Sequence, residues 1–596
     1  MEQQIAHNRK ADRNTLVCVF LLALVFILLL WRAPFGYDWT DEEYYSVVGY
    51  RMLQGDRPLV DTWEVHQFSG MLAAPALGAY RLANGGSMDG SVLFLRYFYV
   101  SVQFLSSLFA YFTLKKRSGH IPALIAAVMM LAYTHYSINS YFYDSMPYLF
   151  VILSALMLFR WQDLPPDAKA GKAAFAALSG VCAALAVIAF PYALLAFLVY
   201  FVYWIYSARK NRAQSGDRFG ALWFFAGAAL TAGALAAFIL SRTTLAQAAD
   251  GVKHMLSDPD HLVADLPHVL AQYFNSIRVI YAPYSYGAAL LVVTGLVYRM
   301  SKQPRVRQAL RLVGAALALV IMAGVTIHML TYKIEAFYRI NLFAAGFALT
   351  APGLWLLADR SRNRAVVLFA AGCALSLATQ IGSNTRILAS SGMLLPASMA
   401  AALYLLDNRR ALFSMDGGLL PRLEPRSAKR IERMLAACAF AFAAVFALSL
   451  CTLRLTAVHR DEPVANLTAA IDSGAAKGIR TTPESAARHH AMVEEIRTNA
   501  TESGAVLFTY LFPEGYLLTD LKAATPSAFN MAMDSQWLAA YYESRPDRVP
   551  AVVFALDPNL PYNDASMSGA DAFANDYGLQ TKRLTYMTVY RIPGTE

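Results

Sequence analysis
Thr15-Leu-Val-Cys-Val-Phe-Leu-Leu-Ala-Leu-Val-Phe-Ile-Leu-Leu-Leu-Trp31 is a run free of charge that follows Arg9, Lys10 and Arg13. It gives way to the acidic stretch Gly36-Tyr-Asp-Trp-Thr-Asp-Glu-Glu-Tyr-Tyr45. About 20 apolar residues cross the hydrocarbon core of a bilayer, so the run is long enough to span. It exceeds the core of a signal peptide and no small-residue cleavage site follows. It therefore predicts an uncleaved first span with the basic N-terminus inside and the acidic stretch outside.

Working outward, comparable runs begin near Val92, Ile121, Met146, Ala173, Tyr192, Phe219, Pro283, Leu312, Leu342, Ala365, Met393 and Met434. The expected fold is an α-helical polytopic membrane protein of about 13 transmembrane helices. The runs near Ala173 and Tyr192 are fused in hydropathy and are split at Phe190-Pro191, because proline interrupts a helix. Composition agrees: 57% of the 596 residues are hydrophobic and 15% charged, against roughly 25% charged in soluble domains. That excludes a soluble enzyme. The five cysteines lie in apolar runs and read as small buried hydrophobes, neither a disulfide framework nor a metal site.

The net charge of +10 sits in short clusters: Lys115 to Arg117, Lys169 with Lys172, Arg209 to Arg212, Arg299 to Arg311, Arg360 to Arg364, and Arg409 to Arg433. Alternating spans place them all inside, as the positive-inside rule requires, so the charge marks topology and not nucleic acid. Outside fall a first loop (35–90), a short loop around Asp144, a second long loop (241–282), two short loops at Tyr332 to Asn341 and Ile381 to Gly392, and the tail. The expected division is a transmembrane unit, 1–453, and a small outward α/β domain, 454–596. Within the tail, Pro483 to Ala500 has a helical pattern, and Ala505 to Tyr510 and Ala551 to Leu556 read as strands. No internal repeat is visible, which weighs against an inverted-repeat transporter.

In the first loop, Thr40 followed by Glu43 has the spacing of a capping box, with Asp41 and Glu42 in the first turn, where the helix dipole favours anions. The stretch predicts an interfacial helix ending near Leu53, with Gly55 behind it. That plain structural reading leaves open whether Asp41 and Glu42 also do chemistry.

Asp41-Glu42, a following Tyr, Met52-Leu53 and Gly55-Asp56, just beyond the first span, resemble the first outer loop of the GT-C superfamily of polyprenyl-phosphate-sugar-dependent glycosyltransferases. The lipid A aminoarabinose transferases and protein O-mannosyltransferases are the nearest in kind. The resemblance extends to Arg96, Asp144 in Tyr143-Asp-Ser-Met-Pro, Pro191-Tyr192 and Tyr338-Arg339, over roughly the first 400 residues. It implies an inverting transfer in which Asp41 is general base toward an acceptor hydroxyl, Glu42 holds the acceptor or assists, and Asp144 is a second acid of the site. Arginines match a leaving phosphate, and Arg96, Arg339 and Arg386 are the candidates. Tyr44 and the Glu64-Val-His-Gln stretch stand where the aminoarabinose transferases carry an Arg and a Lys, and His66 is the candidate replacement at the acceptor or phosphate.

Each residue also has a plainer account. Arg96 lies near a span end and could snorkel. Asp144 and His66 could be solvated loop residues. Arg386, in Gly382-Ser-Asn-Thr-Arg, sits where backbone N–H groups could face an anion. Lys333 and Glu335 read as a surface pair, and His489-His490 as surface residues. Asn466-Leu-Thr and Asn499-Ala-Thr are formal glycosylation sequons. No cofactor follows firmly from the sequence. Asp38-Trp-Thr-Asp41 leaves a divalent cation open, and the 241–282 loop reads as a lid.

The expected function is transfer of a sugar from a polyprenyl-phosphate carrier to a cell-envelope glycan, lipid or protein, at the outer face of a plasma membrane. The alternatives are a transporter or flippase of lipid-linked sugars, which would need ionisable residues deep in mid-span, a polysaccharide polymerase or ligase, and a non-catalytic scaffold.

Overall fold
The computed structural model describes residues 2–38, 40–215, 219–257, 265–358, 364–383, 386–415, 425–500, 503–509, 512–529, 536–557, 560 and 568–593. Trp39, segment 258–264 of the long loop, 360–363 and 416–424 of two basic clusters, residues 384–385 before Arg386, and Thr501 of the second sequon lie outside them.

Among the described residues, eight helices are long and apolar enough to cross a membrane: Asp12–Arg32, Ser91–Ser118, Lys169–Ala189, Gly220–Leu240, Pro304–Thr331, Ala336–Leu357, Arg386–Phe413 and Arg426–Thr456. Leu266–Ile280 and Tyr284–Met300 qualify only as a pair, bent by 101°. His120–Ala132, Pro191–Ser207 and Val366–Gly382 are apolar but shorter. Every apolar run of the sequence falls on one of these or on Met146–Asp163. The difference from thirteen full spans is one of length. At 1.5 Å per residue, His120–Ala132 covers only about 20 Å, and extended Tyr133 ends it. The split at Phe190-Pro191 is present, with Phe190 extended between two helices.

Close approach in the bundle uses small residues, since lipid gives helices no hydrophobic reason to associate and packing decides. A Cβ on Gly180 would lie 1.9 Å from the Phe224 carbonyl, and one on Gly227 would lie 2.0 Å from that of Ala177. These glycines let Lys169–Ala189 and Gly220–Leu240 touch backbone to backbone.

The first loop forms two helices, Asp41–Leu53 and Gln67–Ala83. The former has the expected bounds, and Glu42 through Met52 are all buried. The tail covers it. The tail carries a five-stranded mixed sheet in the order Lys522–Ala523, Ala505–Thr509, Val552–Leu556, Met587–Arg591, Gln580–Arg583. The first three strands are parallel and the last two antiparallel to their neighbours. Helix Pro483–Asn499 and the strands Ala505–Thr509 and Val552–Leu556 coincide with the segments read from sequence.

Loop and tail share one apolar core, in which Tyr44, Tyr45, Val47 and Val48 pack with Ile479, Ile496, Phe508 and Phe554. Polar contacts reinforce it. Arg51 bonds Asp56 at 2.8 Å and Arg548 reaches the other Asp56 oxygen at 2.8 Å. Glu64 accepts from Tyr44 at 2.5 Å and Ser527 at 3.2 Å, and Trp63 N–H donates to the Pro526 carbonyl at 3.0 Å. Helix Leu245–Leu256 of the second long loop joins this assembly. Trp537 donates to the His254 carbonyl at 3.0 Å and Trp63 stacks on His254 at 4.0 Å. A Cβ on Gly251 would meet the Leu59 carbonyl at 1.8 Å.

Candidate active site
The acidic stretch, the turns around His135 and Asp144, and the residues just beyond the last span converge at one end of the bundle. Helix Asp41–Leu53 is not started by a capping box, since the Thr40 side chain makes no cap bond. Asp38 does that work. Its Oδ1 accepts from the Thr40 hydroxyl at 2.6 Å and its Oδ2 from the Asp41 N–H at 3.1 Å. An Asx residue bonding its own downstream backbone is an ordinary helix-start device. Here it fixes Asp41 at the first turn.

Asp41 meets two cations that the sequence reading missed. His459 Nε2 lies 3.1 Å and Arg460 Nη1 3.1 Å from Asp41 Oδ2. His459 also lies 3.3 Å from Asp38 Oδ2, and Arg460 donates to the Thr40 hydroxyl. Both cations engage Oδ2, while Oδ1 has no described hydrogen bond. Burial pushes the His459 imidazole down, but the Asp38 carboxylate, with hydrogen bonds to Asp38 and Asp41, lifts it to about 9. Burial likewise raises Asp38, and His459, Arg460 and Thr40 overcome it, holding the carboxyl well below the usual range. His459 is therefore imidazolium at neutral pH. The signal in the sequence was His459-Arg460-Asp461-Glu462, a charged knot emerging from the last span on the same side as Asp41.

Asp144 is buried 3.7 Å from His135. Burial, then the charge of Asp41, pushes its carboxyl well above the ordinary value, while burial and His459 hold His135 down to about 3. Burial and the Asp41 charge thus both favour the protonated form of Asp144. Tyr136, Ser137 and Arg460 have φ of 51°, 65° and 47°, a region non-glycine residues rarely occupy and one that stores strain. Asn341 Oδ1 accepts from the Tyr136 N–H at 2.9 Å and holds that turn.

The remaining candidates fall differently. Arg96 binds Glu42 in a fork, Nε to Oε1 at 2.7 Å and Nη2 to Oε2 at 2.5 Å. Its other N–H groups go to the carbonyls of Ala33 at 2.7 Å, Gly36 at 2.7 Å and Phe35 at 3.5 Å. All five donors are used and both side chains are buried. The sequence reading puts Arg96 on phosphate and Glu42 at the acceptor or assisting Asp41; in the structure the two engage each other and lock the loop to the second span. His66 is buried and stacks on Tyr143 at 3.6 Å, so it is not a solvated loop residue. Arg339 is half-buried, with one bond at 3.3 Å to the Ile334 carbonyl. Arg386 is exposed, with φ of 62°. No described contact joins either to Asp41. The reading of His489 as a surface residue is also corrected: His489 is buried against Glu514, 2.9 Å away, and Tyr37 donates to Glu514 at 2.6 Å.

Asp38, Asp41 and His459 offer ligand atoms within 4.8 Å of one another, a spacing compatible with a divalent cation. The set fits poorly as it stands, because a metal would have to displace the His459 proton and repel Arg460.

Fold and site together define a multi-pass helical membrane protein with a cluster of buried acids and cations around Asp41 at one end, under a mixed α/β tail. No protein-family model and no curated protein matches the chain. Among solved structures, ArnT from Cupriavidus metallidurans bound to undecaprenyl phosphate is similar at 12% identity and a TM-score of 0.48, covering 97% of this chain and 98% of its own. The archaeal oligosaccharyltransferase AglB from Archaeoglobus fulgidus, in complex with an inhibitory peptide and a dolichol-phosphate, is similar at 13% identity and a TM-score of 0.45, covering 94% and 70%.

Proposed function
We propose that the protein is an inverting glycosyltransferase that moves a sugar from a polyprenyl-phosphate carrier to a hydroxyl of a cell-envelope glycan, lipid or protein, at the outer membrane face. One observation carries the reading. Asp41 has 21% side-chain exposure, whereas Asp38, Glu42 and Asp144 are at 10% or less, and it sits between two cations with one oxygen uncommitted.

In this scheme the acceptor hydroxyl attacks the anomeric carbon as its proton passes to Asp41 Oδ1. The bond from that carbon to phosphate oxygen breaks with its electron pair leaving on the phosphate. In this reading Arg460, 26% exposed, is assigned to supply countercharge to the phosphate group. Asp144 is the second acid of the site in this reading, facing donor or acceptor. The buried Arg, Lys, Asp and Glu of the described spans argue against the transporter: Arg32, Arg96 and Arg454 lie at span ends on the Asp41 side and Lys172 at a span end on the other, none of them in mid-span.

The test is deletion of the gene in its host, complementation with wild type or Asp41→Asn, and mass spectrometry of envelope glycans and lipid-linked monosaccharides. Loss of one sugar with accumulation of its polyprenyl-phosphate form, restored only by wild type, supports the reading. Full restoration by Asp41→Asn refutes it.

A further inference from the structure
The end of the bundle opposite Asp41 holds a cavity of about 510 Å³. Helix Ser91–Ser118 fixes the placement: Arg96 lies at its Asp41 end and Arg117 at its far end, about 30 Å along the axis. Four arginines, Arg117, Arg364, Arg409 and Arg410, line the cavity against two acids, Asp163 and Asp407. Arg117 and Arg364 compete for a single oxygen, Asp163 Oδ1, with Arg364 at 3.0 Å. Asp407 is drawn aside by the Ser118 hydroxyl at 3.0 Å. Arg410 is exposed and has no described partner. The lining thus carries an excess of two positive charges.

A second observation is independent of charge. Tyr404 is 1% exposed, lines the same cavity, and has a buried hydroxyl with no hydrogen-bond partner among the described residues. A buried O–H left unpaired costs about 1–3 kcal/mol, so it calls for a partner. A topology signal needs basic residues in loops; it does not need them converging from two helices and the turn before a third on a cavity with an unpaired hydroxyl.

We propose that this cavity binds the phosphate head group of an anionic phospholipid. The arginine forks match phosphate oxygens, and the Tyr404 hydroxyl supplies one further donor. A lipid is favoured over free phosphate because Leu114, Phe159 and Leu403 form an apolar wall beside the arginines, at the depth where spans leave the hydrocarbon and basic pockets between helices take anionic head groups.

The experiment uses the full chain purified in detergent, with native mass spectrometry and thermal denaturation in phosphatidylglycerol, phosphatidylcholine or inorganic phosphate. Phosphatidylglycerol is expected to stay bound and raise the denaturation midpoint above that in phosphatidylcholine. Arg410→Gln is expected to weaken its retention about fivefold, as for loss of one cation near an anionic surface, and Arg364→Gln to weaken it further. Tyr404→Phe removes only the hydroxyl and keeps the test decisive if Arg364→Gln fails to fold. Unchanged retention in both Arg410→Gln and Tyr404→Phe overturns the site. Equal effects of the two lipids overturn the anionic requirement. Equal protection by millimolar inorganic phosphate overturns the lipid in favour of a free anion.

Discussion

Replacing Arg96 by Gln separates the clamp seen here from a phosphate-binding arginine. The change removes a fork to Glu42 and three carbonyl contacts, and it leaves a carboxylate with 3% side-chain exposure unpaired. Breaking one partner of a buried ion pair costs about 3–5 kcal/mol, because the remaining charge is stranded. Glu42→Gln strands the guanidinium instead and should cost about as much by the same reasoning. The double variant places two neutral amides face to face and should be less destabilised than the sum of the singles by about 3 kcal/mol, near the upper end seen for coupled neighbours. The assay is heat-induced inactivation of the detergent-purified protein through the four-membered cycle, with donor KM measured below the inactivation temperature. The expected result is a large, non-additive loss of stability with KM little changed. Additive losses, or Arg96→Gln at wild-type stability with a raised donor KM, would refute the clamp and return Arg96 to the phosphate.

Asp41→Asn should lower transfer by about 10²–10⁴, the usual contribution of a general base, while circular dichroism and the inactivation temperature hold. Because the folded His459 pKa is raised from 6.5 to about 9, its contribution is complete below about 6.5 and is lost as pH rises through about 9. A thermal midpoint falling over that window in wild type but flat in His459→Gln is the expected observation, and equal slopes would count against the assignment. Arg548→Ala leaves Asp56 with Arg51 as its remaining close partner and should loosen the tail by about 1–3 kcal/mol, read as faster limited proteolysis after the last span. Treatment with EDTA should leave transfer intact, since His459 and Arg460 already neutralise Asp38 and Asp41; loss of activity restored by Mg²⁺ or Mn²⁺ would put a metal at that cluster.

The sequence alone determined that this is a polytopic helical protein, where its helices run, and that Asp41 begins a helix beside the first span. Those are local properties: an apolar run must span or be buried, and an acid at a helix start is favoured wherever the helix lies. Helix Asp41–Leu53 shows the limit of such reasoning, since its bounds were legible but its burial was not. The tail residues that cover it lie more than four hundred positions away. The same distance hid His459 and Arg460, whose roles depend on the last span delivering them to Asp38 and Asp41. Arg96 was visible as a costly intramembrane charge, yet only the tertiary structure decided that Glu42 and three carbonyls consume its five donors. A sequence shows that a buried charge needs a partner, and only the folded chain shows which partner is within reach.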